Sequence, residues 1–242
     1  MQYRIHLLIV GISAAGLALT GCSNRSENER QNAETSGQSA EPVPTAESEP
    51  FETREGFRLL GLNDFKIFHG KEPTEEPTWT AEGDVIKCTG QPRGYIFTKQ
   101  AFDDFTLRLD YRYVPADDQT DEKQLEASNT GILVFISGEH KLWPVSLEVQ
   151  GKHIEMGQIK ANGGAAAIEI DDDDQARTDA RKPVGEWNSV EVVSTKGALT
   201  ASLNGTQVCK SDAGELVEGS IGLQSEGFEV QFRNVRIRKQ LP

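Results

Sequence analysis

The nine residues at 105–113, Phe-Thr-Leu-Arg-Leu-Asp-Tyr-Arg-Tyr, carry an apolar or aromatic side chain at every odd position and a polar one at every even position. Only an extended strand turns a period of two into one buried face and one wet face, so the segment excludes a helix. The same signal predicts strands at 65–69, 84–88, 94–98, 131–137, 144–150, 154–160, 187–195 and 219–224. Leu-Thr-Ala-Ser-Leu at 199–203 and Thr-Gln-Val-Cys at 206–209 flank Asn204-Gly205, a pair that tolerates the positive φ angles of a type I′ turn and so predicts a hairpin. From Phe228 to Arg233 the apolar positions are even, whereas Val235 and Ile237 continue on odd ones; that slip predicts a β-bulge near Arg233-Asn234. No 12-residue stretch carries a helical stripe, and Asp171–Asp174, with Gly163-Gly164 before it, reads as part of a long loop. Roughly a dozen short strands make an all-β chain, a β-sandwich of the jelly-roll kind.

This pattern begins only at residue 57. Residues 1–21 hold one basic residue, Arg4, no acid, and an apolar run too short and glycine-rich for a membrane span, which reads as a secretory signal. The run ends in Leu19-Thr20-Gly21-Cys22, which resembles the lipobox of bacterial lipoproteins. The resemblance implies cleavage before Cys22, lipid on its sulfur, and a lipid-anchored place in the cell envelope, periplasmic or on the outer membrane; Ser23 in the next position fits outer-membrane sorting in a diderm host. Residues 22–56 are rich in Ser, Asn, Gln, Glu and Pro, with eight acids against three arginines over 23–55, and predict an acidic disordered tether. The globular domain is then 57–242. A net charge of −13 argues against nucleic acid as a partner and leaves the lipid as the only membrane contact. Three cysteines exclude a disulfide scaffold; Cys88 and Cys209 either pair in an oxidising compartment or stay buried as free thiols.

An ordered set of segments spans the domain: Trp-Thr-Ala-Glu-Gly-Asp at 79–84, Gly-Tyr-Ile-Phe-Thr-Lys at 94–99, Asp-Phe-Thr-Leu at 104–107, Ser-Asn-Thr-Gly-Ile at 128–132, Trp-Pro-Val-Ser-Leu-Glu-Val-Gln at 143–150, Gly-Glu-Trp-Asn at 185–188, Leu-Asn-Gly at 203–205, Ile-Gly-Leu-Gln at 221–224 and Phe-Arg-Asn at 232–234. Together they resemble the DUF1080 family, the 3-keto-disaccharide hydrolase domain. The resemblance implies a concanavalin A-like jelly roll acting on a sugar already oxidised to a ketone at C3. Two positions depart from the family pattern. Thr130 stands where Ser is commoner, and Glu226 stands before Gly227 where a His is often found.

A C3 ketone acidifies the C2 proton, and loss of that proton expels the C1 substituent; water then adds to the enone. The route needs a general base and polar groups that steady the enolate. It does not need the paired carboxylates of ordinary glycosidases, and no clear pair stands out. Glu148 is the first candidate base. With Ser146 and Gln150 it occupies the strand face opposite Leu147 and Val149, the solvent side of a sheet; read without the family, the same face is an ordinary polar one. Asn129, Gln150, Gln224 and Arg233 are candidates to hold sugar hydroxyls, and Trp143 to stack on the ring, with Tyr95 as a further platform and Trp187 read as core. His153, paired with Glu155 at a strand spacing, is the second catalytic candidate; with His140 it raises the possibility of a divalent metal. No cofactor is certain. Asp171–Asp174 lacks the glycine-bearing pattern of a calcium loop and reads as solvated. The rival to an enzyme is a carbohydrate-binding module without chemistry, since this fold serves both; an interaction domain with no sugar ligand is the third reading.

Overall fold

The computed structural model describes residues 56–72, 75–117 and 122–240; the signal segment, Cys22 and the tether lie outside them. The strands in chain order are β1 (Arg58–Leu59), β2 (Phe65–His69), β3 (Trp79–Glu82), β4 (Val85–Cys88), β5 (Gly94–Thr98), β6 (Phe105–Tyr113), β7 (Gly131–Ser137) and β8 (Val145–Gln150). They continue with β9 (Ile159–Asn162), β10 (Ile170–Asp172), β11 (Asn188–Thr195), β12 (Ala198–Leu203), β13 (Thr206–Ser211), β14 (Ser220–Ser225) and β15 (Val230–Lys239). Two short helices, α1 (Glu122–Glu126) and α2 (Asp174–Ala180), interrupt them. Two antiparallel sheets result. The larger runs β10-β13-β12-β11-β6-β15-β4-β3, with β1 also on β15; the smaller runs β2-β5-β14-β7-β8-β9.

The alternation of β6 does what its period dictates. Phe105, Leu107, Leu109, Tyr111 and Tyr113 are buried between the sheets, while Arg108, Asp110 and Arg112 stay partly exposed on the outer face. Leu147, Val149, Ile132, Ile221 and Leu223 meet them from the small sheet, with Val190, Val192 and Phe232 beside them. Each such side chain contributes about 1.5–3 kcal/mol on leaving water. The hairpin turns through Asn204 (φ 49°) and Gly205 (φ 88°), both left-handed as a type I′ turn requires. The register of β15 against β6 shifts between Arg233 and Arg236, with Asn234 at φ 56°. That bulge lets Phe232 and Val235 both point into the core.

Where the chain enters the domain, the Phe57 ring is buried beneath three guanidinium groups, those of Arg238 (4.7 Å), Arg108 (4.8 Å) and Arg236 (5.5 Å). Next to it, β1 lies along β15, Arg58 opposite Ile237 and Leu59 opposite Arg236.

Three readings need correction, and the cysteine alternatives resolve to one. The stretch 154–160 is not one strand, because a 3-10 turn at His153–Glu155 and Gly157 at φ 86° reverse the chain before β9. Asp171–Asp174 is solvated but not a loop: it closes β10 on β13, and Asp173 caps α2 by accepting the Ala176 N–H at 2.8 Å. There the buried Arg177 bonds Asp172, Asp174 (2.8 Å) and the Met156 carbonyl (3.0 Å), so these acids face a guanidinium. Trp187 is not core; its ring lies on the outer face against Arg233 (4.2 Å) and Arg112 (4.7 Å). Cys88 on β4 and Cys209 on β13 are free buried thiols. Five inter-strand steps of about 4.8 Å separate them, far beyond disulfide reach.

Candidate functional site

The outer face of the small sheet gathers the residues that the period-two argument placed opposite Leu147 and Val149. Register sets them in rows. One row runs Gln150, Gly131, Gln224, Tyr95, Phe68 across β8, β7, β14, β5 and β2. The next runs Lys160, Glu148, Leu133, Gly222, Phe97, Lys66. Asn129 and Glu226 face each other one row further, just before the start of β7 and just past the end of β14, and the Asn129 amide donates to Glu226 Oε2 at 2.7 Å. Thr130 Oγ1 donates to the Gln224 carbonyl at 2.8 Å, which fixes the start of β7 against β14.

This face is less wet than a bare polar face. The connection 138–144 between β7 and β8 folds over it: the His140 ring lies 4.1 Å from that of Phe97 and its Nδ1 sits 2.8 Å from the Tyr95 hydroxyl. The Trp143 side chain lies beside Glu226 and is 48% exposed. Glu148 is only 9% exposed and Gln224 2%.

Gly131 is the centre of the cluster. A methyl group on it would lie 2.0 Å from Gln224 Oε1 and 2.4 Å from Glu148 Oε1, so the glycine lets both oxygens close in above its Cα. Among the described residues neither Gln224 Oε1 nor Asn129 Oδ1 receives a hydrogen bond, although both are buried. Burial, and then the neighbouring Glu226, push the Glu148 carboxyl up to about 7; Lys160 offsets part of this. Burial also raises Glu226, against Arg93, Trp143 and Asn129. A protonated Glu148 is a donor beside the bare Gln224 oxygen; an ionised one is a base in the neutral range.

Glu148, Asn129, Gln224 and Trp143 are thus brought together. Gln150 flanks Gly131, but its Oε1 accepts the Lys152 N–H at 2.7 Å and serves the turn after β8. Ser146 is likewise occupied, donating to the Pro144 carbonyl at 3.1 Å. Arg233 is elsewhere: it lies on the outer face of the large sheet, its Nε donating to Asp110 at 3.1 Å and its guanidinium stacked on Trp187. His153 is also apart, buried with Nε2 3.0 Å from the Lys182 carbonyl. Its proposed partner Glu155 bonds Lys152 (2.9 Å) and Lys160, which removes the histidine–carboxylate metal pair. His140 is held by Tyr95, and among the described residues no three His, Cys, Asp or Glu side chains form a metal cluster. Tyr95 is fully buried and offers no platform. Glu226 is the residue that the sequence reading passed over as a site member. Its signal was present: it follows Gln224 at i+2, on the same face, at the position where the family pattern departs.

Residues 61–238 match the family described as the 3-keto-alpha-glucoside-1,2-lyase-like domain. A candidate glycosyl hydrolase from Parabacteroides distasonis, seen by crystallography, shares the fold with a TM-score of 0.52 at 19% identity, over 74% of this chain and 89% of that one. A second from the same organism gives 0.49 at 21% identity over 67% and 90%. The carbohydrate-binding module CBM66 of Bacillus subtilis gives 0.49 at 12% identity over 73% and 96%. No curated protein matches the chain.

Proposed function

We propose that this chain, which belongs to the 3-keto-alpha-glucoside-1,2-lyase-like domain family through residues 61–238, cleaves the glycosidic bond of 3-keto-glycosides at the face centred on Gly131. The observation that carries the reading is Glu148: a carboxyl on the outer face of the small sheet, pushed up to about 7 by burial first and by the neighbouring Glu226 second. Its carboxylate takes the C2 proton and the C2–H electrons move into the enolate of the ketone. As the enolate collapses, the C1–O bond breaks and the leaving oxygen takes up the proton that Glu148 has just accepted from C2. Water then adds across C1=C2 of the resulting enone, hydroxyl to C1 and proton to C2, which leaves the free 3-keto sugar. Asn129 and Gln224 offer bare acceptors for the hydroxyls that flank the ketone, and Trp143 offers half its ring as a stacking surface.

The test is Glu148→Gln in purified protein, with turnover of a panel of 3-keto-glucosides measured beside their binding. Loss of a general base costs about 10²–10⁴ in rate, with affinity changed much less, and parent turnover should climb with pH through about 7 as Glu148 gives up its proton. Near-normal turnover in the variant removes Glu148 as base. The second reading, a carbohydrate-binding module, draws on the exposed Trp143 ring beside those acceptors; it requires binding of unoxidised glycans and no release from any 3-keto-glycoside. The lipid anchor at Cys22 remains part of the proposal and implies action at the cell envelope.

A further inference from the structure

Gln224 and Glu148 close over Gly131, the bonded pair Asn129–Glu226 lies one row further along the same strands, and two of these four side chains carry a buried oxygen that receives no hydrogen bond. Gln224 is 98% buried by exposure, and its Oε1 points over Gly131 towards a carboxyl oxygen of Glu148 with no donor among the described residues. Asn129 spends its N–H on Glu226, which leaves its own buried Oδ1 bare. An amide oxygen buried without a partner costs on the order of 1–3 kcal/mol. Here two of them flank two carboxyl groups, so that once those ionise lone pairs face lone pairs. Of the nearby cations, Lys160 is drawn to Glu155 and Arg93 sits beside Glu226; neither reaches the amide oxygens.

We propose that a hard divalent cation binds over Gly131, held by one carboxylate oxygen each from Glu148 and Glu226 and by the amide oxygens of Gln224 and Asn129. Such an ion accepts carboxylate and amide oxygens together, and ions that take six or more ligands fill the remaining positions with water or hydroxyl groups. The donor set holds neither thiolate nor imidazole, which selects calcium, magnesium or manganese over zinc or copper. Glu226 is what makes the set all-oxygen. Because each carboxylate gives one oxygen, Glu148 keeps a second for a proton. The cation site does not depend on the sugar reading and is tested without a sugar.

The experiment titrates Mn²⁺ into the chelator-treated full chain, following bound metal by electron paramagnetic resonance and melting temperature alongside. The expected result is one saturable Mn²⁺ per chain, a rise in melting temperature on binding, and displacement by Ca²⁺. Glu226→Gln and Glu148→Gln should each weaken Mn²⁺ at least tenfold, whereas Asp212→Asn, at an exposed position on a different sheet, should leave it unchanged. In chelator the two Gln variants should melt no lower than the parent, since each removes one of two neighbouring buried charges; weakened binding is then not lost folding. Absence of saturable Mn²⁺ binding below millimolar concentration, or equal affinity in parent and both Gln variants, overturns the proposal. Turnover plays no part in the readout, so failure here leaves the cleavage reading standing, and a chain that binds Mn²⁺ without cleaving any keto-glycoside leaves this one standing.

Discussion

Glu148 is raised in the folded chain chiefly by burial and next by Glu226, and that has a consequence for stability. The folded state holds a proton that the unfolded chain gives up near its ordinary value of about 4.3. The stabilisation is full below that value and is lost as pH rises through the folded value near 7. Its size is on the order of 3 kcal/mol. Urea midpoints for parent and Glu148→Gln, measured from pH 4 to 8, should diverge over this window, the parent losing stability relative to the variant; parallel curves would refute the shift. Glu148 was legible in the sequence because Leu147 and Val149 fix which way it points. Arg233 misled for a related reason: alternation tells a wet face from a dry one but not which sheet the wet face belongs to. His153 misled because a strand spacing was assumed where the chain turns. The bare oxygens of Asn129 and Gln224 depend on neighbours far along the chain, which no local pattern contains.

At the level of elements, α2 is the clearest case of local chemistry that a strand-seeking pattern misses. Seven residues hold no apolar stripe; the helix stands on its Asp173 cap and on Arg177, buried with three partners. Asp173→Ala should cost about 1 kcal/mol, the worth of a helix N-cap. Arg177→Ala strips a buried charge from its acids and should cost about 3–5 kcal/mol. Both are read from denaturation midpoints, and equal midpoints for the two variants would contradict the ranking. Most strands were legible, because their alternation is long and their turns carry the required residues, as at Asn204-Gly205. The stretch 154–160 was not: Gly157 stands where the alternation needs a side chain, and its positive φ ends the run.

For the whole molecule, the N-terminal segments carry the localisation proposal. Cys22→Ser should move the protein out of the membrane fraction or leave it unprocessed, with the folded domain unchanged; retention of a correctly cleaved variant would remove the anchor. Limited proteolysis should cut within 22–56 and leave a resistant fragment beginning near 57, whereas a fragment split between the two sheets would contradict the single domain. Phe57 and β1 then acquire a mechanical meaning. A pull on the N-terminus enters the domain at a ring gripped by three guanidinium groups and at a strand of two residues laid along β15. Those few rungs carry the load before any longer ladder does, and they let go first. Their release frees the chain as far as β2 while β15 keeps its pairing with β6 and β4. Under tension the domain therefore lengthens first at its entry point, and the load reaches β2, the edge strand of the sheet that carries Gly131, only once those rungs are gone.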